Sequence, residues 1–245
     1  MGKPDQRELF IVKLLIPLAG ALFLAAGCST QITQRDGKLL LNKEYSFSDI
    51  AKSNTDLVIE THQQAALENL RVLAEKLYKR NPRELRKSGL TLGTALNRLA
   101  PPCTGHFDEL RGKRGADAIF LAFNPDYQGD RVLAYMVGLS DMIMASYNDK
   151  TAFFVLDDLD PQKLYNSARN TETAAWKLAT ARDADGRLYL VSNSMDTAGN
   201  NLSFEREFGK LIAAQDILAL IIADKSNRSI NWFVQTAGAM VFLPL

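Results

Sequence analysis

Apolar residues return every three or four positions along most of this chain, and that spacing commits it to helices. Ala66, Leu70, Leu73 and Leu77, flanked by Ala65, Leu67, Ala74 and Tyr78, make one long amphipathic helix starting near Asp56. It should stop at Asn81-Pro82, because a residue before proline is pushed out of the helical region. The same pair can open the next helix, with Asn81 as cap, Pro82 at the first helical position and Glu84 three residues after the cap. That helix runs to about Lys87, and a further one with Leu92, Leu96 and Leu99 ends at Pro101-Pro102.

Between Gly105 and Gly129 the signals are mixed, with a short apolar run from Ala118 to Phe123. Asp130 then caps a clearer segment. Val132, Met136, Leu139, Ile143 and Tyr147 form its stripe, while Ala134, Gly138, Asp141 and Ala145 leave the other side small enough for a second backbone to come close. Asp160-Pro161 starts a helix with Leu164, Ala168, Thr171, Ala175 and Leu178 along one face. Asp185-Gly186 makes a turn, and Arg187 to Val191 reads as a short strand. Ser203 is expected to cap the most apolar helix, whose residues Leu211 to Ala223 are hydrophobic on nearly every side and so belong at the centre. A last helix from Ser229, with Ile230, Phe233, Val234, Ala237 and Met240, should dock on the core together with Phe242-Leu243-Pro244-Leu245. The expected fold is all-α, a single multi-helix globular bundle with at most a short strand or hairpin near 187-191.

A chain of 245 residues, 47% hydrophobic, can fill one core of this kind. Its 29 basic and 28 acidic residues nearly cancel, which leaves no basic excess of the kind that neutralises nucleic-acid phosphates. The N-terminus is different. Lys3, Arg7 and Lys13 precede an unbroken apolar run from Leu14 to Gly27, too short for the ~20 residues of a membrane span. The run ends in Leu24-Ala25-Ala26-Gly27-Cys28, which resembles the lipobox of bacterial lipoproteins. The commonest pattern has leucine three places before the cysteine, where this chain has Ala25 and carries the leucine one place earlier.

The resemblance covers only the first ninth of the chain. It implies a signal peptide over 1-27, removed once the Cys28 thiol has received diacylglycerol, and a protein held in the membrane by its N-terminal lipid. Ser29 lacks the aspartate typical of inner-membrane retention, which implies the periplasmic side of the outer membrane. The stretch 28-45, with Gln31, Gln34, Arg35, Asp36 and Gly37, reads as a polar tether, followed by a helical globular domain over 46-245.

Signs of chemistry are few. His62, His106 and Cys103 are too few and too scattered for structural zinc, and Cys103-Thr104-Gly105-His106 reads as a loop with a buried cysteine; the sharper alternative is a thiol–imidazole pair. No Gly-x-Ser-x-Gly, Ser-x-x-Lys, Gly-x-x-x-x-Gly-Lys or His-Glu-x-x-His motif occurs. Nor is there the Glu-Ser dipeptide usual in lytic transglycosylases. Asp183, Asp185 and Gly186 form a turn whose following residues cannot complete a calcium loop. No cofactor or metal is expected.

Two features carry charge where it matters. Asp216 falls between Ile212 and Leu220 and needs a partner, with Arg169 or Arg182 preferred over a role as a pocket carboxylate. Lys76, Lys79, Arg80, Arg83, Arg86 and Lys87 form a basic run that suits a solvated helix end, or alternatively an anionic partner such as lipid headgroups or an acidic envelope protein. The functional expectation is a non-enzymatic interaction or assembly module. The alternative is a carrier of an apolar molecule, suggested by Met136, Met142 and Met144 near Tyr135 and Tyr147, and a hydrolase without a recognisable motif comes third.

Overall fold

Ser53 opens the first long helix, α1 (Asn54–Arg80), with both halves of a capping box: its hydroxyl accepts from the Asp56 amide at 3.3 Å, and the Asp56 carboxylate accepts from the Ser53 amide at 2.6 Å. The computed structural model describes residues 30–33, 39–43, 52–100, 107–196, 199–232 and 241–245. The signal stretch, Cys28, Cys103, His106 and residues 233–240 of the expected last helix lie outside them.

The chain divides into Met1–Lys52 and Ser53–Leu245. In the first unit, within the stretch read as a tether, β1 (Thr30–Thr33) pairs antiparallel with β2 (Leu39–Lys43). The second unit is a helical bundle. After α1 come α2 (Pro82–Ser88), α3 (Leu92–Arg98), a 3-10 turn (Asp108–Leu110), α4 (Gly115–Ala122), α5 (Arg131–Ser146), α6 (Pro161–Thr180), a small hairpin β3 (Ser194–Asp196) and β4 (Gly199–Asn201), and α7 (Ser203–Ser226).

The core stripe of α1 is buried as its spacing predicts, with Ala66, Leu70, Leu73, Leu77 and Tyr78 turned inward. The centre is α5, where every residue but Asp141 and Ala145 is buried. Only Arg131 and Asp141 are charged along it, and α1, α4 and α6 pack around it. Its small side does what the sequence suggests. A Cβ on Gly138 would stand 2.4 Å from the Gly115 carbonyl oxygen and 2.9 Å from the Ile119 amide, so α4 rests directly on the glycine backbone.

The expectation that α7 is the central helix is overturned. It packs on α6 and α1, and its third side faces solvent. The Ser203 cap is corrected too: Ser203 is the first helical residue, and the free amides there are met by Asn201, which accepts from Ser203 at 3.1 Å, and by Asn193, which accepts from Phe204 at 3.2 Å. Residues 229–232 are not helical. The strand expected at 187–191 is reduced to one bridge, Arg182 with Leu188.

That reduction has a cause. The backbone of 189–192 is held by side chains from α1, the α1–α2 junction and α2, leaving no strand to pair with. Asn81 donates to the Val191 carbonyl and accepts from the Val191 amide, at 2.9 and 2.8 Å, so its side chain makes no cap for α2. Arg83 donates to the Tyr189 carbonyl and Arg80 to that of Ser192.

The C-terminal residues dock along α6 through polar residues at helical spacing. Asn166 donates to the Pro244 carbonyl, Asn170 both donates to and accepts from Leu243, and Thr173 donates to the Val241 carbonyl. Phe242 meets Phe120 edge-on at 5.4 Å.

One buried acid makes stability depend on pH. Asp130 caps α5 by accepting from the Leu133 amide at 3.0 Å and accepts from the Tyr78 hydroxyl at 2.9 Å, yet burial pushes its carboxyl up to about 6. A folded-state pKa above the unfolded value means the folded protein holds more protons between about pH 4 and pH 6, so this group makes stability fall as pH rises through that window. Asparagine retains the cap and the acceptor for Tyr78 without the buried charge. Asp130→Asn is therefore expected to gain on the parent by roughly 2 kcal/mol between pH 4 and pH 7, measured by urea unfolding at a series of pH values. An unchanged difference across that range would refute the assignment.

Candidate functional site

The outward rotation of α7 is set by a buried polar relay beneath it. Gln215, fully buried, donates to the Ser167 hydroxyl at 2.6 Å, and Ser167 donates to the Met142 carbonyl at 3.3 Å, tying α7 through α6 to α5. Leu211, Leu218, Ala219 and Ile222 are buried on the same side. What remains outside is an apolar strip: Ala213, Ile217, Leu220 and Ile221, the last three 51%, 51% and 37% exposed. Gly209 continues it, with open space where a Cβ would stand. A shallow groove of about 350 Å³ runs beside it between α6 and α7, lined by Ala175, Trp176, Ala179, Phe208 and Gly209.

Asp216 sits at the edge of this strip. Arg169 donates to it at 2.7 Å and pairs with Glu172 at 3.0 Å, while the guanidinium lies 5.0 Å from the centre of the Tyr165 ring. Burial raises the pKa of both carboxyls, against the opposing pull of Arg169. Arg182, the other candidate partner, donates instead to the Gly186 carbonyl. Two acids sharing one guanidinium brace α6 against α7, and each is held as an ion-pair acceptor.

Most of the basic run is tied to neighbouring groups among the described residues. Lys76 donates to the Ser203 carbonyl and lies 5.0 Å from the Phe204 ring; Lys79 pairs with Glu75; Arg80 and Arg83 hold the 189–192 backbone. Lys87 donates to Glu84 and to the Gly129 carbonyl. Of the six, Arg86 is exposed and makes no such bond among the described residues. These contacts tie the cations to carbonyls and carboxylates of the domain, while Lys79, Arg80, Arg83, Arg86 and Lys87 stay exposed to solvent.

The chemistry-bearing residues are likewise occupied. Asp141 accepts from Arg114 Nε at 2.9 Å and from the Gly115 amide at 3.2 Å, capping α4. It lies in an open cleft of about 580 Å³ with Met142, Ala145, Phe242, Leu243 and Leu245. His62 Nδ1 is 3.1 Å from the Ala214 carbonyl oxygen. Among the described residues no three His, Cys, Asp or Glu side chains come together as a metal would require. The methionines do not share one cavity: Met136 lines a smaller pocket of about 210 Å³ under α1 and α3, Met142 the 580 Å³ cleft, and Met144 contacts Gln63.

In the sequence the strip on α7 is signalled only by the apolar run Leu211 to Ala223: a helix apolar all round leaves an apolar face wherever it lacks a neighbour. Compared with protein-family models, with curated proteins and with solved structures, the chain matches none.

Proposed function

We propose that this is a lipid-anchored envelope protein, tethered through Cys28 to the periplasmic side of the outer membrane, whose helical domain is a non-enzymatic interaction or assembly module. The observation that carries the second half is the exposed strip Ile217, Leu220, Ile221 on a helix whose opposite face is already packed. Solvent contact with such a strip is unfavourable by about 25 cal/mol per Å² of apolar surface, so covering it drives association. The Leu24-to-Cys28 pattern supports the anchor, and among the described residues no helix is long and apolar enough to cross a membrane.

Affinity capture of the full chain from membranes, with mass spectrometry of protein and lipid companions, tests both halves. Captured through a tagged copy, one protein companion is expected, either an untagged second copy of this chain or a different protein, lost with Leu220→Glu/Ile221→Glu and retained with Arg86→Glu. Cys28→Ala should yield an unacylated protein, and an intact mass showing a bare N-terminus on the parent would remove the anchor. The 580 Å³ cleft, of ligand size and largely apolar, keeps a carrier of an amphiphile as the second reading. Stoichiometric lipid without a protein companion would favour it over the module.

A further inference from the structure

The apolar strip on α7 is bounded by charges that complement one another in only one sense of pairing. Lys210 and Asp224 are both exposed; the Lys210 ammonium lies 3.0 Å from Glu207 within its own helix, and the Asp224 side chain has no partner among the described residues. Both stand seven residues from Ile217, on opposite sides of it. Ala213 and Ile221 are each four residues from Ile217, and Ala214 and Leu220 each three. In an antiparallel pair of identical helices related by a two-fold axis, each residue meets the one equally far beyond the axis.

We propose that α7 docks against α7 of a second copy, antiparallel, with the two-fold axis at Ile217. This rests on the interaction-module reading above and names its partner. Ile217 then packs on its own symmetry mate. Each alanine of one helix faces a branched side chain of the other, small against large, and Lys210 faces Asp224 twice. A parallel pairing would set Lys210 against Lys210 and Asp224 against Asp224, which like-charge repulsion opposes. Gly209, open on its outer side, adds no bulk at the rim. About four turns of helix, Lys210 to Asp224, cover less than the ~1,200 Å² usual for a stable soluble interface. The dimer is therefore weak in free solution and strengthened where a shared surface raises the local concentration.

The test uses the full chain in its own membranes, with parental circular dichroism required of each variant. A photoreactive phenylalanine analogue placed at Ile217 should give an adduct of twice the chain mass. On mild oxidation Ile217→Cys should join two copies, as should Ala213→Cys/Ile221→Cys. Ala213→Cys alone should not, since its symmetry mate lies about 12 Å along the helix axis, beyond disulfide reach. Lys210→Asp or Asp224→Lys should each lower the Ile217→Cys yield about fivefold, because symmetry applies each reversal twice, and the two together should restore it. Equal joining by Ala213→Cys alone, or no rescue by the double reversal, would overturn the register. A photo-adduct to a different protein would overturn self-association and leave the docking face standing, whereas no adduct of any kind would remove both.

Discussion

Gly138→Val is expected to lower the unfolding free energy by about 4 kcal/mol, and Gly138→Ala by about 2 kcal/mol. The obstacle is backbone. A Cβ at this position would stand 2.4 Å from the Gly115 carbonyl oxygen and 2.7 Å from Ile119 Cγ1. No rotamer change relieves the first contact, so the start of α4 must lift off α5. With it goes the cap that Asp141 provides through Arg114 and the Gly115 amide. Alanine would otherwise favour a helix over glycine by about 1 kcal/mol, so the packing cost must exceed that gain. Gly209→Ala is the internal control: with open space at its Cβ, it should be neutral or stabilise by up to about 1 kcal/mol. Urea unfolding of the three variants decides the matter, and equal effects at 138 and 209 would refute the close approach.

Glu84→Ala should cost about 3 kcal/mol, from the buried Arg131 amide left without an acceptor and the cavity left by the side chain. Glu84 has no solvent exposure. Its Oε2 accepts from the Arg131 amide at 2.9 Å and from Lys87 at 2.8 Å, and its Oε1 accepts from Arg83 Nε at 3.1 Å. Removing the carboxylate strips the first amide of α5 of its acceptor and leaves two cations without their counter-charge. Arg131 anchors the same junction from the other side, donating to the carbonyls of Ala122, Asn124 and Tyr127 while its guanidinium lies 4.7 Å from the Tyr189 ring centre. Glu84→Gln preserves the acceptor and loses only charge, so about half the effect is expected. Thermal unfolding monitored by circular dichroism gives the order; a glutamine variant as unstable as the alanine one would mean that charge, not the hydrogen bond to α5, dominates.

Glu84 shows how local and tertiary signals diverge. In the sequence it stands three residues after Asn81 and looks like half of a helix cap, a use that involves only its own turn. In the fold it reaches across to α5, and Asn81 turns to the 189–192 segment. The same holds for Asn166, Asn170 and Thr173. Their spacing placed them on one face of α6, but that they would receive the chain terminus depended on where 241–245 arrives. The basic run was visible as charge, and the carbonyls that Lys76, Arg80, Arg83 and Lys87 reach were not.

The sequence by itself determined that α1 to α3 and α5 to α7 are helical, where proline and aspartate start them, and that the small side of α5 around Gly138 admits a close neighbour. Those properties depend on residues a few positions apart, and periodicity records them. Which helix is central was decided only by tertiary structure. Both α5 and α7 are apolar enough to be enclosed, but Gln215, Ser167 and the Met142 carbonyl tie α7 to one side of the bundle and leave Ile217, Leu220 and Ile221 facing water. Burial is a property of neighbours, and no local pattern states how many neighbours a helix will have.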